Sequence, residues 1–164
     1  MGRTSLVEHA IEATDQHPVQ QALRHHPVAY MPLVDAYVQQ IKDSGIVEPR
    51  AGSKWISNIL LVCKKDGSLH YCIDHRGLNV VTQNTNYLLP CIDTCHDLLG
   101  GNIFYSSLDM HCGYWQVPVC EEDVDKTCFV TRKGIFGFKI LLFGMCNAPS
   151  TFQHLVDMAL AGLS

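Results

Sequence analysis

The sequence has no run of about 18 apolar residues, the length a membrane-spanning helix requires. Its longest candidate is the five-residue "ILLVC" at positions 59–63. The opening "MGRTSLVEHAIEAT" lacks the apolar segment of a secretory signal, and Leu6 stands where N-myristoylation needs Ser or Thr. A spanning helix and a lipid anchor are therefore excluded. No membrane partner is expected, and the chain reads as soluble and intracellular, in cytoplasm or nucleus. Positive charge is also scarce: 12 Lys and Arg face 16 Asp and Glu, for a formal charge of −4. That excludes the basic stripe by which proteins grip nucleic acid tightly, so only weak nucleic-acid binding is expected. The eight cysteines include no C-x-x-C pair. The closest group, Cys91, Cys95 and His96, has loose spacing for zinc, so free thiols are expected, with Cys63, Cys72 and Cys128 acting as small hydrophobes inside apolar runs.

What is present suits one domain. The 164 residues are 47% hydrophobic, enough for a core. Positions 1–32, with "DQHPVQQALRHHPVAYMP", show neither a helical nor a strand period and read as an extended leader lying on a partner surface. From Leu33 to Ser44, apolar Val34, Tyr37, Val38 and Ile41 recur at helical spacing, and Gly45 supplies a stop. In "NILLVCKKDGSLHYCID", two apolar segments flank Asp66 and Gly67, the chemistry of a hairpin turn. Lys64 and Lys65 at its tip serve either solubility or closure on a triphosphate. A short helix is expected over Ile92–Leu99, ended by Gly100 and Gly101. A polar helix is expected at "EEDVDK", where Asp123 and Asp125 read as a solvated face, and two strands around Arg132–Gly134. The last helix is capped by Asn147, with Phe152, Leu155, Val156, Ala159 and Leu160 on one face and Asp157 on its flank. Helices mixed with antiparallel strands give an α+β fold.

In "FYSSLDMHCGYWQV", positions 104–117, one carboxylate ends an apolar run that reads as a strand. A buried carboxylate costs several kcal/mol unless it is paired or binds a metal. Asp109 is therefore either a turn-starting residue at a strand end or a metal ligand.

The segments "GIVEP", "SKWISNILLVCKKDGSLHYCIDHRGLN", "LLPCID", "FYSSLDMHCGYWQV" and "DKTCFVTRKGIFGFKILLFGMCNAPSTFQ", with the leader "QALRHHPVAYMPLVDAYV", occur in one order and spacing. In that arrangement the chain resembles the reverse transcriptase region of gypsy-type LTR retrotransposon pol polyproteins. The resemblance implies a right-hand polymerase fragment with an incomplete palm sheet: fingers over about 33–90 and the first part of the palm over about 91–164, after the 1–32 leader. It implies RNA-directed DNA polymerisation by nucleotidyl transfer with two Mg²⁺ ions, and an RNA or DNA template-primer and dNTP as partners. Asp109 then becomes the first catalytic carboxylate, binding metal beside the Met110 backbone carbonyl. Carried over in the same way, Lys64, Lys65 and His70 contact the triphosphate. Tyr114 lies under the sugar as a size filter, or else is a core tyrosine. Phe143 and Gly144 lie against the nucleotide and template, and Gln153 is a weaker match.

The chain also departs from that pattern. Gln20, His25, His70 and His111 stand where relatives usually carry Arg, and Leu88 and Leu142 where they carry Pro. Each is one C-to-T or G-to-A step from a CG-containing codon, which suggests a decayed element copy. At His70 a mostly neutral imidazole replaces a fixed fork of donors. No Asp-Asp dipeptide occurs, so the family's Tyr-x-Asp-Asp hairpin is missing from these 164 residues, and Mg²⁺ binding is expected to be weak or absent. Three functions compete: an incomplete polymerase fragment, truncated before that hairpin and inactive alone; a remnant that binds nucleic acid or a polymerase subunit without catalysis; and the non-functional product of a degenerate element.

Overall fold

The computed structural model describes residues 2–14, 17–65, 67 and 69–162. Asp66, half of the expected turn dipeptide, and Ser164 lie outside them. Helix α1 spans Met31–Asp43, starting two residues before the apolar period and keeping Pro32 in its first turn, where the missing N–H costs nothing. Its buried face is Val34, Val38 and Ile41. Gly45, at φ +68°, takes the left-handed conformation that ends it. Strand β1 (Val47–Pro49) follows, then the hairpin of β2 (Ile59–Cys63) and β3 (Leu69–Ile73), antiparallel with Ile59 opposite Ile73 and Cys63 opposite Leu69. Gly67, at φ +80°, donates to the Lys64 carbonyl at 3.0 Å, closing the turn.

Helices α2 (Arg76–Val81) and α3 (Ile92–Leu99) come next. The 3-10 segment Glu121–Thr127 leads into β4 (Phe129–Thr131) and β5 (Gly134–Phe138), the two strands expected around Arg132–Gly134. They join β1 in an antiparallel sheet of order β1-β5-β4. Ser57 bridges to Phe129 and couples this sheet to the hairpin. Helix α4 (Ala148–Ala159) closes the described chain. The core gathers where the sheet, the Glu121–Thr127 segment and the run after β5 meet: Val117, Val124, Phe129, Ile140 and Leu141 are at most 1% exposed. Each buried aliphatic or aromatic side chain there contributes roughly 1.5–3 kcal/mol. Helices with two small antiparallel sheets give the α+β fold expected.

Three expectations change. First, the leader packs on the chain itself. Its His9 amide donates to the Pro118 carbonyl at 2.8 Å, and its His9 carbonyl accepts from Cys120 at 3.0 Å. Thr14 donates to Val81, and Gln21 and Ile56 join the leader to the entry of β2. His9 and Ile11 are each 2% exposed. Second, Asp123 is not on a solvated face. Its Oδ2 accepts the Ile11 amide at 2.8 Å, and Lys126 Nζ donates both to Asp123 Oδ1 at 2.5 Å and to the Ile11 carbonyl at 2.6 Å. The leader's backbone needed a buried acceptor, and Asp123 provides it. Third, the segment carrying Asp109 is not a strand. Residues 103–110 run without a sheet partner among the described residues, and every residue from Leu88 to Cys112 is exposed. A strand exists only through its neighbour, and the described residues supply none there. Phe104, 92% exposed, and Leu108, 83%, show the consequence. The cysteines also divide: Cys128 is buried as expected, whereas Cys63 is exposed at the hairpin end.

This uneven order has a measurable result. Amides of Ile103–Met110 are expected to exchange with solvent at nearly unprotected rates, while those of β2 and β3 remain protected. Better protection at 104–110 than in the hairpin, measured by hydrogen exchange at neutral pH, contradicts the assignment.

Candidate functional site

Asp109 sits at the mouth of a groove of about 560 Å³. Leu108, Asp109 and Met110 form one lip, Gly113 and Tyr114 the floor, and Phe143 with the α4 residues Phe152, Val156 and Leu160 the far side. Local backbone chemistry sets this shape. Cys112 takes a left-handed conformation at φ 50°, turning the chain into the 3-10 helix Gly113–Gln116. Gly113 lies so close to α4 that a Cβ there would fall 2.7 Å from the Phe152 ring, so no other residue fits without moving it. The close approach brings Tyr114 onto two aromatic rings: Phe143 stacks at 4.5 Å between centroids, and Phe152 is tilted at 5.0 Å. Burial pushes the Tyr114 phenol above its ordinary pKa, which leaves it neutral and donor-competent at pH 7.

Phe143 is exposed, and its loop is held from behind. The Asn79 side chain of α2 donates to the Gly144 carbonyl at 2.7 Å and accepts from the Cys146 amide at 3.1 Å. Gly144, at φ +91°, makes that turn possible. Asn147 occupies the cap position of α4 without capping it. Its side chain instead donates to the Gln83 carbonyl at 2.8 Å and accepts from the Thr85 amide at 3.1 Å, tying the crossing segment to the helix.

The structure gathers Asp109, Met110, Tyr114 and Phe143 along one groove, with Gly144 adjoining. Lys64, Lys65 and His70 lie apart from that lining: all three are exposed on the hairpin, with His70 opposite Val62. Gln153 is also turned elsewhere. It donates to Asp157 Oδ1 at 2.8 Å, and Asp157 Oδ2 accepts from Tyr87 at 2.5 Å, which with Gln153 holds the Asp157 carboxyl below its ordinary pKa. Among the described residues no three His, Cys, Asp or Glu side chains converge on a metal-sized site, and Asp109 is the one carboxylate on the groove. A single carboxylate with a backbone carbonyl does not fit a two-ion centre, whose hard, octahedral ions need several oxygen ligands.

Sequence reasoning missed a second charged cluster. Asp74, 4% exposed, accepts from Arg76 through Nε at 2.8 Å and Nη2 at 2.7 Å, and Arg24 Nη2 lies 3.7 Å away. The Arg76 guanidinium holds the Asp74 carboxyl down at about 2. The D-x-R spacing in "IDHRGLN" was the available signal.

A family profile described as reverse transcriptase (RNA-dependent DNA polymerase) matches residues 62–164. An RNA-directed DNA polymerase homolog of Oenothera berteroana is 41% identical over 93 residues, 57% of this chain and 66% of that protein. The retrovirus-related Pol polyprotein from transposon opus of Drosophila melanogaster is 31% identical over 162 residues, 96% of this chain but 16% of the polyprotein. The crystal structure of prototype foamy virus protease-reverse transcriptase matches with a TM-score of 0.79 at 21% identity, over 99% of this chain and 22% of that one. The foamy viral enzyme in complex with an RNA/DNA hybrid matches at 0.78 and 18%, over 97% and 21%. At such identities these likenesses show the fold. The chain thus spans just under two thirds of the plant relative and about a sixth of the transposon polyprotein.

Proposed function

Because the chain belongs to the reverse transcriptase (RNA-dependent DNA polymerase) family, we propose that it is the fingers and first palm portion of an LTR-retrotransposon RNA-directed DNA polymerase, catalytically incomplete as these 164 residues. The observation that carries this reading is the groove that sets Asp109 beside the Tyr114–Phe143 stack. In a complete polymerase Asp109 and the Met110 carbonyl would hold part of a Mg²⁺ ligand set, whose charge would stabilise phosphoryl transfer, with further carboxylates needed to complete it. Tyr114 limits the space under the sugar. Its ring is braced by Phe143 and Phe152, so it cannot swing aside to admit a bulkier ribose. Lys64, Lys65 and His70 on the hairpin meet the triphosphate, Phe143 and Gly144 the nucleotide and template, and Gln153 is the weaker candidate for a nucleotide contact. The partners are a template-primer duplex and dNTP.

A chimaera tests the proposal directly. The chain is joined to the downstream polymerase segment of the opus polyprotein and assayed for primer extension on an RNA template. Extension that Asp109→Ala abolishes is expected. In that background His70→Arg is expected to lower the apparent KM for dNTP by about 10-fold, because a bidentate charged contact of roughly 1.5–3 kcal/mol replaces a single weak one. A chimaera that extends primers equally well with Ala at 109 would sink the assignment.

A further inference from the structure

A second cavity, of about 100 Å³, lies between leader residues 23–26, the start of α1, and strands β2 and β4, away from the Asp109 groove. Its wall is formed by Leu23, Met31, Val34, Ile59 and Val130. Val34 and Ile59 are 6% and 2% exposed, so the floor belongs to the core. The polar groups that reach the wall are already engaged. Asn58 Oδ1 accepts from the Arg24 amide at 3.1 Å, and Asn58 Nδ2 donates to the Ala22 carbonyl at 2.8 Å. Thr131 Oγ1 donates to the Gly134 carbonyl at 3.1 Å, and Asp35 accepts from Arg132 Nε at 2.8 Å. The wall is therefore mostly apolar, with the Asn58 amide and Thr131 hydroxyl already engaged, and it favours carbon.

The rim has the opposite character. Arg24, His25, His26 and Arg132 stand around the mouth against one carboxylate, Asp35, which Arg132 already neutralises. Both arginine side chains are 54% exposed, and Arg24 keeps only a 3.7 Å approach to Asp74. An apolar wall beside one exposed and loosely paired guanidinium, that of Arg24, is complementary to one kind of small molecule.

We propose that this cavity is a binding site for a small amphipathic carboxylate, with a single ring or short branched alkyl body against Val34, Ile59 and Val130 and its carboxylate at the Arg24 and histidine rim. A ligand of about ten non-hydrogen atoms at ordinary ligand efficiency binds with a Kd of about 1 mM. Rim charges contribute selectivity for the anion and are screened by salt.

The test is a ¹⁹F NMR titration of the full chain with 4-fluorobenzoate, fluorobenzene and 5-fluoro-dCMP. Saturable broadening of 4-fluorobenzoate near 1 mM is expected, with fluorobenzene at least about threefold weaker and no saturation by the nucleotide. Arg24→Gln, which removes the charge assigned to the carboxylate and leaves the apolar wall intact, is expected to weaken 4-fluorobenzoate about fivefold and leave fluorobenzene within about twofold. Val34→Phe fills the floor and abolishes both, and if that core change unfolds the protein the Arg24→Gln comparison decides alone. No saturation by 4-fluorobenzoate overturns the proposal, as do equal affinity for the uncharged ring and tighter binding of the nucleotide.

Discussion

Purified alone and given a primed template, dNTP and Mg²⁺ or Mn²⁺, the 164-residue chain is expected to incorporate nucleotide at least about 10⁴-fold more slowly than the same chain joined to a downstream polymerase segment. Phosphoryl transfer is driven by positioning and by charge stabilisation, with little covalent work for the protein. Each preorganised charge-stabilising group that is lost costs about 10²–10³ in rate. Here the groove carries one carboxylate, and the joined segment is expected to add two more as metal ligands. Two such losses multiply to about 10⁴–10⁶ if they act independently. The stack of Tyr114 on Phe143 is formed in the chain alone, but it supplies no charge. A radiolabelled primer-extension assay measures the difference. Incorporation by the pure chain within 10-fold of the extended one, and sensitive to Asp109→Ala, would show that another carboxylate completes the site.

Much of this arrangement is legible in the sequence because it is local. Val34, Val38 and Ile41 recur at helical spacing, and α1 forms there. Gly67 and Gly134 each permit a positive φ where a hairpin must turn, and the strands on either side follow. What is not legible is long-range. Nothing in the aperiodic leader indicates that His9 will pair with the strand-like run at Val119, since those contacts use backbone groups that every residue carries. Asp123 looks like a surface charge among its acidic neighbours until Ile11, 112 positions away, brings its amide. The same reasoning explains the error at residues 104–110. Alternation and apolarity fit a strand, but pairing depends on a partner that the local sequence does not encode. Gly113 shows the reverse case, a small residue whose necessity appears only once Phe152 is placed against it.

Two buried histidines make the stability of the fold depend on mildly acidic pH. His9 and His75 are each 2% exposed, and burial pushes both imidazoles down to about 4, against an opposing pull from Asp123 on His9 and from Asp74 on His75. Both are neutral in the native protein at pH 7. The unfolded chain takes up these two protons near pH 6.5, so between pH 6.5 and about 4 it binds more protons than the native state and stability falls with falling pH. Above pH 6.5 both states hold the rings neutral and the contribution is flat. At about 1.4 kcal/mol per pH unit for each ring, the loss across that window reaches roughly 6 kcal/mol, comparable with the whole stability of a small domain. The Asp74 carboxyl, held at about 2 by Arg76, adds its own loss only at lower pH, below the ordinary carboxylate value. The two rings are not equivalent at neutral pH. His9 Nδ1 meets Thr151 Oγ1 at 2.8 Å, whereas neither ring nitrogen of His75 has a hydrogen-bond partner among the described residues. A buried, unpaired polar group costs about 1–3 kcal/mol. His75→Phe keeps a ring of similar breadth without the nitrogens, so it is expected to raise stability at pH 7.5 by about that amount and to remove about half of the slope between pH 6.5 and 4. Urea titrations at pH 7.5, 6.0, 5.0 and 4.5 measure both effects. A stability that is flat across this range, or a His75→Phe protein less stable than the parent at pH 7.5, would show that the His75 imidazole is charged and paired in solution.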